Sequence, residues 1–108
     1  GIIINQHQIK FAEQIFKLLS NEKRIRILYL LENHSFNVSE LSEQLELPQP
    51  SVSHQLALLR QYQLVQAHRD GKQIFYTLDD PHIIEVLNDM LAHVQHTMNH
   101  RDHWNHQI

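Results

Sequence analysis

The sequence predicts a mainly α-helical fold that carries one small β-hairpin, and three observations lead to this prediction. Apolar residues recur at helical spacing over most of the chain. The stretch 64–78 changes to the alternation typical of strands, around Asp70-Gly71, a strong hairpin-turn pair. With 108 residues, 42% of them hydrophobic and 19% charged, the chain has the size and composition of one globular domain.

Three of the four helices before the hairpin are marked by a start or stop signal, and the first is predicted from its apolar spacing. Ser20 or Asn21 can cap the second helix, and Ser39 can cap the third. Pro48 and Pro50 end the third helix and begin the fourth, because proline breaks a helix interior but suits a first turn. The predicted helices cover 7–19, 21–32, 39–46 and 50–62.

A longer helix follows the hairpin at 81–98. Asp80 can cap this helix, and Pro81 suits its first position, where a backbone N–H has no partner in any case. An apolar stripe runs along the helix. The last residues, 99–108, are polar and rich in histidine, and we expect this tail to fray.

A short helix, a tight turn, a second helix and a hairpin occur in this order between residues 39 and 78. This order is that of a winged helix-turn-helix, in which the second helix enters the major groove of DNA. The first turn of the helix at 50–62 is polar, whereas its later turns are apolar and can hold it to a core. The predicted DNA contacts are Gln49, Ser51, Ser53, His54 and Gln55 on this helix, and Arg69 and Lys72 at the hairpin tip.

The overall charge restricts how this chain can bind DNA. The net charge is −3, so only a local basic surface can serve, and binding should depend strongly on salt. The alternative is that the serines are caps and the basic residues an ordinary solvated surface.

There is no cysteine, which excludes disulfides and thiolate metal sites and fits a reducing cytoplasm. No apolar run is long enough to span a bilayer.

Histidine is concentrated near the end of the chain, where six of the ten histidines lie between residues 82 and 106. His82 and His93 are eleven residues apart. At about 100° per residue they point within about 20° of each other, but they are about 16 Å apart along the helix axis. One ion with bonds of about 2 Å cannot touch both, so a single helix makes no site from this set.

Two copies of the last helix remove this difficulty. If the helices lie antiparallel across a two-fold axis, Asp80 and His82 of one copy meet His93 and His96 of the other. Three imidazoles and one carboxylate suit tetrahedral zinc, and cobalt accepts the same geometry. The apolar stripe would supply the dimer contact, and the two-fold axis would match an inverted-repeat DNA site.

Simpler explanations exist for each of these residues. Asp80 can be a helix cap without metal, and a lone histidine is more often a surface residue than a ligand. His100 and His103 can belong to a plain polar tail, or they can add ligands and so favour nickel or cobalt.

An enzyme is the less favoured interpretation. The chain has no HExxH pattern and no serine nucleophile elbow, and two glycines cannot form a phosphate-binding loop. Four protein ligands would also leave a metal no open position for water. We therefore expect no catalytic residues and no small-molecule substrate.

The chain resembles the ArsR/SmtB family of metal-sensing winged-helix repressors over nearly its whole length. The stretches that carry this resemblance are LSNEKRIRILYLL, LSEQLELPQPSVSHQLALLRQYQLV, HRDGKQIFYTL, DDPH and HVQH. The spacing D-x-H-(ten residues)-H-x-x-H in the last helix is the specific part, and it is similar to the zinc- and cobalt-sensing branch.

This resemblance implies a bacterial, cytoplasmic homodimer joined through its terminal helices. It implies that the metal-free dimer binds operator DNA and that zinc or cobalt releases it, so that genes for metal efflux or homeostasis are expressed. The implied ligands are Asp80 and His82 of one protomer with His93 and His96 of the other.

The chain also departs from the family pattern. The family's cysteine-based site cannot exist here, and Pro50 removes one polar side chain from the DNA-reading helix. The histidines beyond His96 lie outside the four-ligand pattern, so a relative that uses nickel or cobalt through this tail, or that ignores metal, remains an alternative.

Overall fold

A computed structural model describes the backbone of residues 3–107 and the side chains of residues 3–101. The mainly helical fold with one antiparallel hairpin confirms the predicted fold class. In chain order the elements are α1 Gln6–Leu19, α2 Glu22–Leu30, α3 Val38–Leu45, α4 Gln49–Gln61, β1 Val65–Asp70, β2 Gln73–Leu78 and α5 His82–Gln107.

One hydrophobic core lies among α2, α3, α4, the β1–β2 hairpin and the start of α5. We call this hairpin the wing. The fully buried large side chains of the core are Ile27, Leu28, Leu41, Val52, Leu56, Leu59 and Val65. Leu18 and Leu19 add the end of α1, and Ile84 and Leu87 add the first turns of α5. Burial at roughly 25 cal/mol per Å² of apolar surface is what holds the helix-turn-helix and the wing together.

Asparagine caps begin the first three helices, because the side chains of Asn5, Asn21 and Asn37 each accept a hydrogen bond from a first-turn N–H. At α3 the contacts are reciprocal. Asn37 Oδ1 accepts from the Glu40 N–H at 2.8 Å, and Glu40 Oε1 accepts from the Asn37 N–H at 2.9 Å. The predicted cap at Ser39 is therefore wrong, since this capping box starts the helix earlier.

The turn between α3 and α4 is set by its backbone conformation. Glu46 closes α3 with a φ of 55°, in the left-handed region. The carbonyl of Pro48 then accepts from the N–H groups of Ser51 and Val52 at 3.1 and 3.2 Å. Pro50 lies in the first turn of α4, where its missing N–H costs no helical hydrogen bond.

The wing is closed at its tip and fixed at its base. Strand pairing runs from Val65–Leu78 to Asp70–Gln73, so Gly71 and Lys72 form the turn. Gly71 has a φ of 65°, which glycine adopts without steric cost. At the base, the Tyr76 N–H donates to the carbonyl of Phe36 at 2.8 Å, and the Phe36 N–H donates back at 3.3 Å. The wing is therefore joined to the loop before α3.

Helix α5 continues to Gln107 instead of ending at residue 98, so the predicted fraying of the tail is wrong for 99–107. No proline or glycine interrupts this stretch, and Gln95 Nε2 donates to Asn99 Oδ1 at 3.0 Å across one turn. Ile108 lies outside the described residues. Although α5 has 26 residues, no helix in the described part of the chain is long and apolar enough to cross a membrane.

Candidate DNA-binding face and metal centre

Helix α4 exposes a polar face at its N-terminal end. Gln49, Ser53 and His54 are exposed, and Ser51 is half-buried. No side chain caps this helix. The N–H groups of Ser51 and Val52 donate to the Pro48 carbonyl, but the positive end of the helix dipole still favours an anion such as a DNA phosphate at this end.

Gln55, which was also predicted to contact DNA, does not lie on this exposed face. Its side chain is only 8% exposed. Its Oε1 accepts a hydrogen bond from Arg24 Nε at 2.6 Å, while Arg24 Nη1 donates to the carbonyl of Leu18 at 3.0 Å. Gln55 follows Ser53 by two residues, and two residues span about 200° of a helix. If Ser53 faces DNA, Gln55 therefore points to the core, which the sequence could have shown.

The wing tip carries two exposed basic side chains, Arg69 and Lys72. Neither takes part in the ion pairs found among residues 3–101. Asp70 adds an exposed carboxylate beside them. Arg69 and Lys72 are therefore exposed where a DNA backbone could approach them, and their contact with DNA stays a prediction.

Asp80 and His82 contact each other at the start of α5. Asp80 Oδ1 accepts from the backbone N–H of His82 at 2.9 Å and lies 2.7 Å from His82 Nδ1. The backbone hydrogen bond, followed by the side-chain one, holds the pKa of the Asp80 carboxyl below its usual value. The hydrogen bond that Asp80 Oδ1 accepts from the His82 ring in turn raises the pKa of His82. Both side chains are largely exposed, at 58% and 78%.

His93 and His96 lie on the exposed part of α5, about three turns beyond this pair. Within residues 3–101 of one chain, no three His, Asp or Glu side chains lie close enough together to hold a metal ion. One chain therefore offers two separate pairs of donors, and a shared ion would need the two pairs to come from different copies.

The chemistry of these donors fits zinc or cobalt. Imidazole nitrogens with one carboxylate are a donor set that both ions accept. The 2.7 Å contact between Asp80 and His82 brings two donors together at one point. The ring of His96 stacks on that of His100 at 6.4 Å, so His100 lies on the same side of α5. The side chain of His103 lies outside the described residues.

Two helices expose long apolar faces. Five side chains of α5 are between 40% and 54% exposed: Val86, Met90, Leu91, Val94 and Met98. Three side chains of α1 are between 49% and 60% exposed: Ile9, Phe11 and Phe16. Apolar surface of this extent is typical of a face that another molecule covers.

Known proteins place this chain in a family. A profile described as bacterial regulatory protein, arsR family, matches residues 21–67. The chain is 36% identical over 89 residues to the HTH-type transcriptional regulator KmtR of Mycobacterium tuberculosis, an alignment covering 82% of this chain and 68% of KmtR. The chain belongs to the arsR family of bacterial regulatory proteins. As an arsR-family protein it is a DNA-binding transcription regulator.

Solved structures share the fold of this chain. The chain superposes on Rv0081 of M. tuberculosis with a TM-score of 0.79 and 32% identity, over 91% of this chain and 98% of Rv0081. It superposes on the homodimeric winged helix-turn-helix DNA-binding domain Mb0332 of Mycobacterium bovis with a TM-score of 0.78 and 20% identity, over 87% of each chain. The winged helix-turn-helix prediction is therefore confirmed for this arsR-family chain.

Proposed function

We propose that this arsR-family protein is a metal-responsive repressor that acts on operators in the bacterial cytoplasm. Its metal-free homodimer binds an inverted-repeat operator, and zinc or cobalt lowers that affinity, so that metal homeostasis genes are expressed. One observation carries the proposal. The Asp80–His82 pair at the start of α5 and the exposed His93 and His96 beyond it are two incomplete halves of one donor set.

A second copy completes the donor set and covers the apolar faces. Antiparallel α5 helices across a two-fold axis place the start of one beside the later turns of the other. The exposed stripe on α5 would then be buried between the copies, with the α1 face alongside it. That Mb0332, a chain of the same fold, is described as homodimeric supports this arrangement.

Operator binding is assigned to α4 and the wing. The exposed amide of Gln49 can form paired hydrogen bonds with adenine, and Ser53 and His54 can reach bases or phosphates. We keep the half-buried Ser51 as a candidate contact. Arg69 and Lys72 at the wing tip contact the DNA backbone, which carries no sequence information but fixes the orientation of the protein.

Asp80 and His82 of one copy and His93 and His96 of the other would hold the ion. The ion supplies directional bonds that join the two α5 helices. To reach the ion, Asp80 and His82 would give up their mutual hydrogen bond and turn those donor atoms outward. Both are exposed, so no packing is lost.

Release of DNA requires that the metal-bound conformation bind DNA less well than the metal-free one. Joining the two α5 helices holds the two copies of α4 at a distance that does not fit successive major grooves. The coupling is of order 1–3 kcal/mol and reciprocal, so DNA must weaken metal binding by the same factor.

A second candidate function uses the same fold with a different ion. Because α5 continues to Gln107 and His96 stacks on His100, the later histidines extend the row of donors. His100 and His103 would then raise the number of ligands, which favours nickel or six-coordinate cobalt over tetrahedral zinc.

The test is DNA affinity with and without metal. A labelled duplex with an inverted repeat, selected from random sequence by the chelator-treated protein, is titrated at fixed salt by fluorescence anisotropy. We expect zinc to lower the affinity at least tenfold, about 1.4 kcal/mol. His93→Ala should abolish this effect and keep normal binding in chelator, whereas His34→Ala, in the exposed loop before α3, should respond like the wild type.

The outcomes separate the candidates. Equal wild-type affinity in chelator and zinc would contradict a zinc response. A response to nickel that His100→Ala removes would favour the second candidate. A repressor that responds to neither ion leaves the histidines without a regulatory role.

A further inference from the structure

Helix α5 is fixed to the rest of the chain by few contacts. Ile84 and Leu87 are buried, Ile83 is partly buried, and from Asn88 to Arg101 every described side chain is exposed. Two apolar side chains one turn apart resist lifting of a helix, but they do not fix its rotation or tilt. A directional contact is needed for that.

One hydrogen bond supplies this direction. The Tyr29 hydroxyl of α2 donates to Asn88 Oδ1 of α5 at 2.7 Å, which is a well-formed O–H···O bond. Asn88 directly follows the last buried residue of α5, and it lies between the two donor pairs at positions 80–82 and 93–96.

The same helix α2 is also bonded to the DNA-reading helix. Arg24, five residues before Tyr29, donates to the buried Gln55 of α4 at 2.6 Å. Between them, Ile27 and Leu28 are completely buried, so this segment of α2 cannot shift without disturbing the core. Helix α2 thus contacts α5 on one side and α4 on the other through polar bonds.

We propose that the Tyr29–Asn88 hydrogen bond is a positioning contact that sets the orientation of α5 on α2 and transmits metal binding at α5 to α4. The inference rests on the proposed metal response and adds the residues that carry it. Neither residue is among the proposed metal ligands or DNA contacts. Removing this hydrogen bond should leave both binding sites intact and weaken only their coupling.

The first measurement needs no metal. In chelator, Tyr29→Phe should raise amide hydrogen exchange at 84–88 by threefold or more and leave the core of α4 at 52–59 unchanged. Tyr62→Phe is the matched control. Tyr62 is also half-buried, but its hydroxyl makes no hydrogen bond to the described residues, so this variant should exchange like the wild type.

The second measurement is the coupling itself, as the ratio of DNA affinities in chelator and in zinc. Tyr29→Phe and Asn88→Ala should each reduce the zinc effect by threefold or more. Zinc affinity of the free protein, from competition with a chromogenic chelator, and DNA affinity in chelator should stay within twofold of wild type. The double variant should be no worse than either single one, because both remove the same bond.

Asn88→Asp provides the rescue, because it keeps an acceptor for the Tyr29 hydroxyl and should restore the zinc effect. Three results would overturn the positioning role: an unchanged zinc effect in Tyr29→Phe and Asn88→Ala, additive effects in the double variant, or unchanged exchange at 84–88. If the wild type itself ignores zinc, the proposed function and this inference fall together. If it responds and the variants respond equally, only this inference falls.

Discussion

The segment from α2 to β1 and the helix α5 differ in how much of each is buried. Each of α2, α3, α4 and β1 places at least one side chain fully in the core. Helix α5 buries Ile84 and Leu87 and then exposes every described side chain from Asn88 onward. The DNA-reading part therefore has its own core, whereas most of α5 lacks a covering surface within one chain. Regulatory elements are commonly drawn from such weakly attached segments.

The largest effect is expected when a charge is placed on the exposed apolar stripe of α5. Val94→Asp should convert the dimer to monomers, because a buried unpaired carboxylate is costly. DNA affinity should then fall about 100-fold, since linked half-sites gain about 10²–10⁴ in avidity. Light scattering and anisotropy measure the two effects.

Asn99→Asp is the control for Val94→Asp. It adds the same charge about 140° around the helix from Val94 and should leave the dimer intact. If Val94→Asp remained dimeric with normal DNA affinity, this stripe of α5 would not be the contact between the copies.

In the segment from α2 to β1, Arg24→Ala should destabilise the helix-turn-helix core. It leaves the buried Gln55 oxygen without its donor, which costs about 1–3 kcal/mol of unfolding free energy. Urea denaturation measures this loss. Arg26→Ala removes only the exposed 2.7 Å ion pair with Glu22 and should cost under about 1 kcal/mol. Equal losses would show that the Arg24–Gln55 contact adds nothing to stability.

A smaller loss is expected at the start of α3. Asn37→Ala removes the capping box and should cost about 1 kcal/mol in the same denaturation experiment. Ser39→Ala, inside the helix, should change the unfolding free energy by less than about 0.5 kcal/mol. The reverse order would restore Ser39 as the cap.

The smallest effect concerns the wing. Lys72→Gln should lower the slope of log affinity against log salt by about 0.9 for each phosphate that the protein no longer neutralises. Affinity at fixed salt should fall only a few-fold, and equally for matched and mismatched operators. Lys10→Gln on α1, which has the same charge change, should leave the slope unchanged. A sequence-dependent loss in Lys72→Gln would indicate base contact instead.

Local sequence signals predicted the elements because their causes are local. Helical periodicity, the two prolines around Gln49 and the glycine at position 71 each act within a few residues. The errors have local causes too. Asn37 competes with Ser39 as the cap and wins through Glu40, and polar composition suggested fraying where no helix breaker occurs.

Less of the candidate metal site could be predicted from the sequence. The spacing of Asp80, His82, His93 and His96 can be read from the sequence. Whether these side chains come together depends on how the surfaces of two copies pack, which the sequence does not show. The Tyr29–Asn88 contact joins residues 59 positions apart and follows no local pattern. Only the folded backbone brings these two side chains together.

The hydrogen bonds at the base of the wing should restrict the operator sequences that this protein can bind. Phe36 and Tyr76 exchange two backbone hydrogen bonds, which bond the wing to the loop that begins the helix-turn-helix. If α4 and the wing contact DNA as proposed, the distance between the bases read by α4 and the backbone touched by the wing should be constant within each half of an operator. The gap between the two halves should be the variable quantity, because in the proposed dimer it depends on how two α5 helices meet. Operators for this protein should tolerate no insertion inside a half-site, and metal should act as a change in the preferred gap.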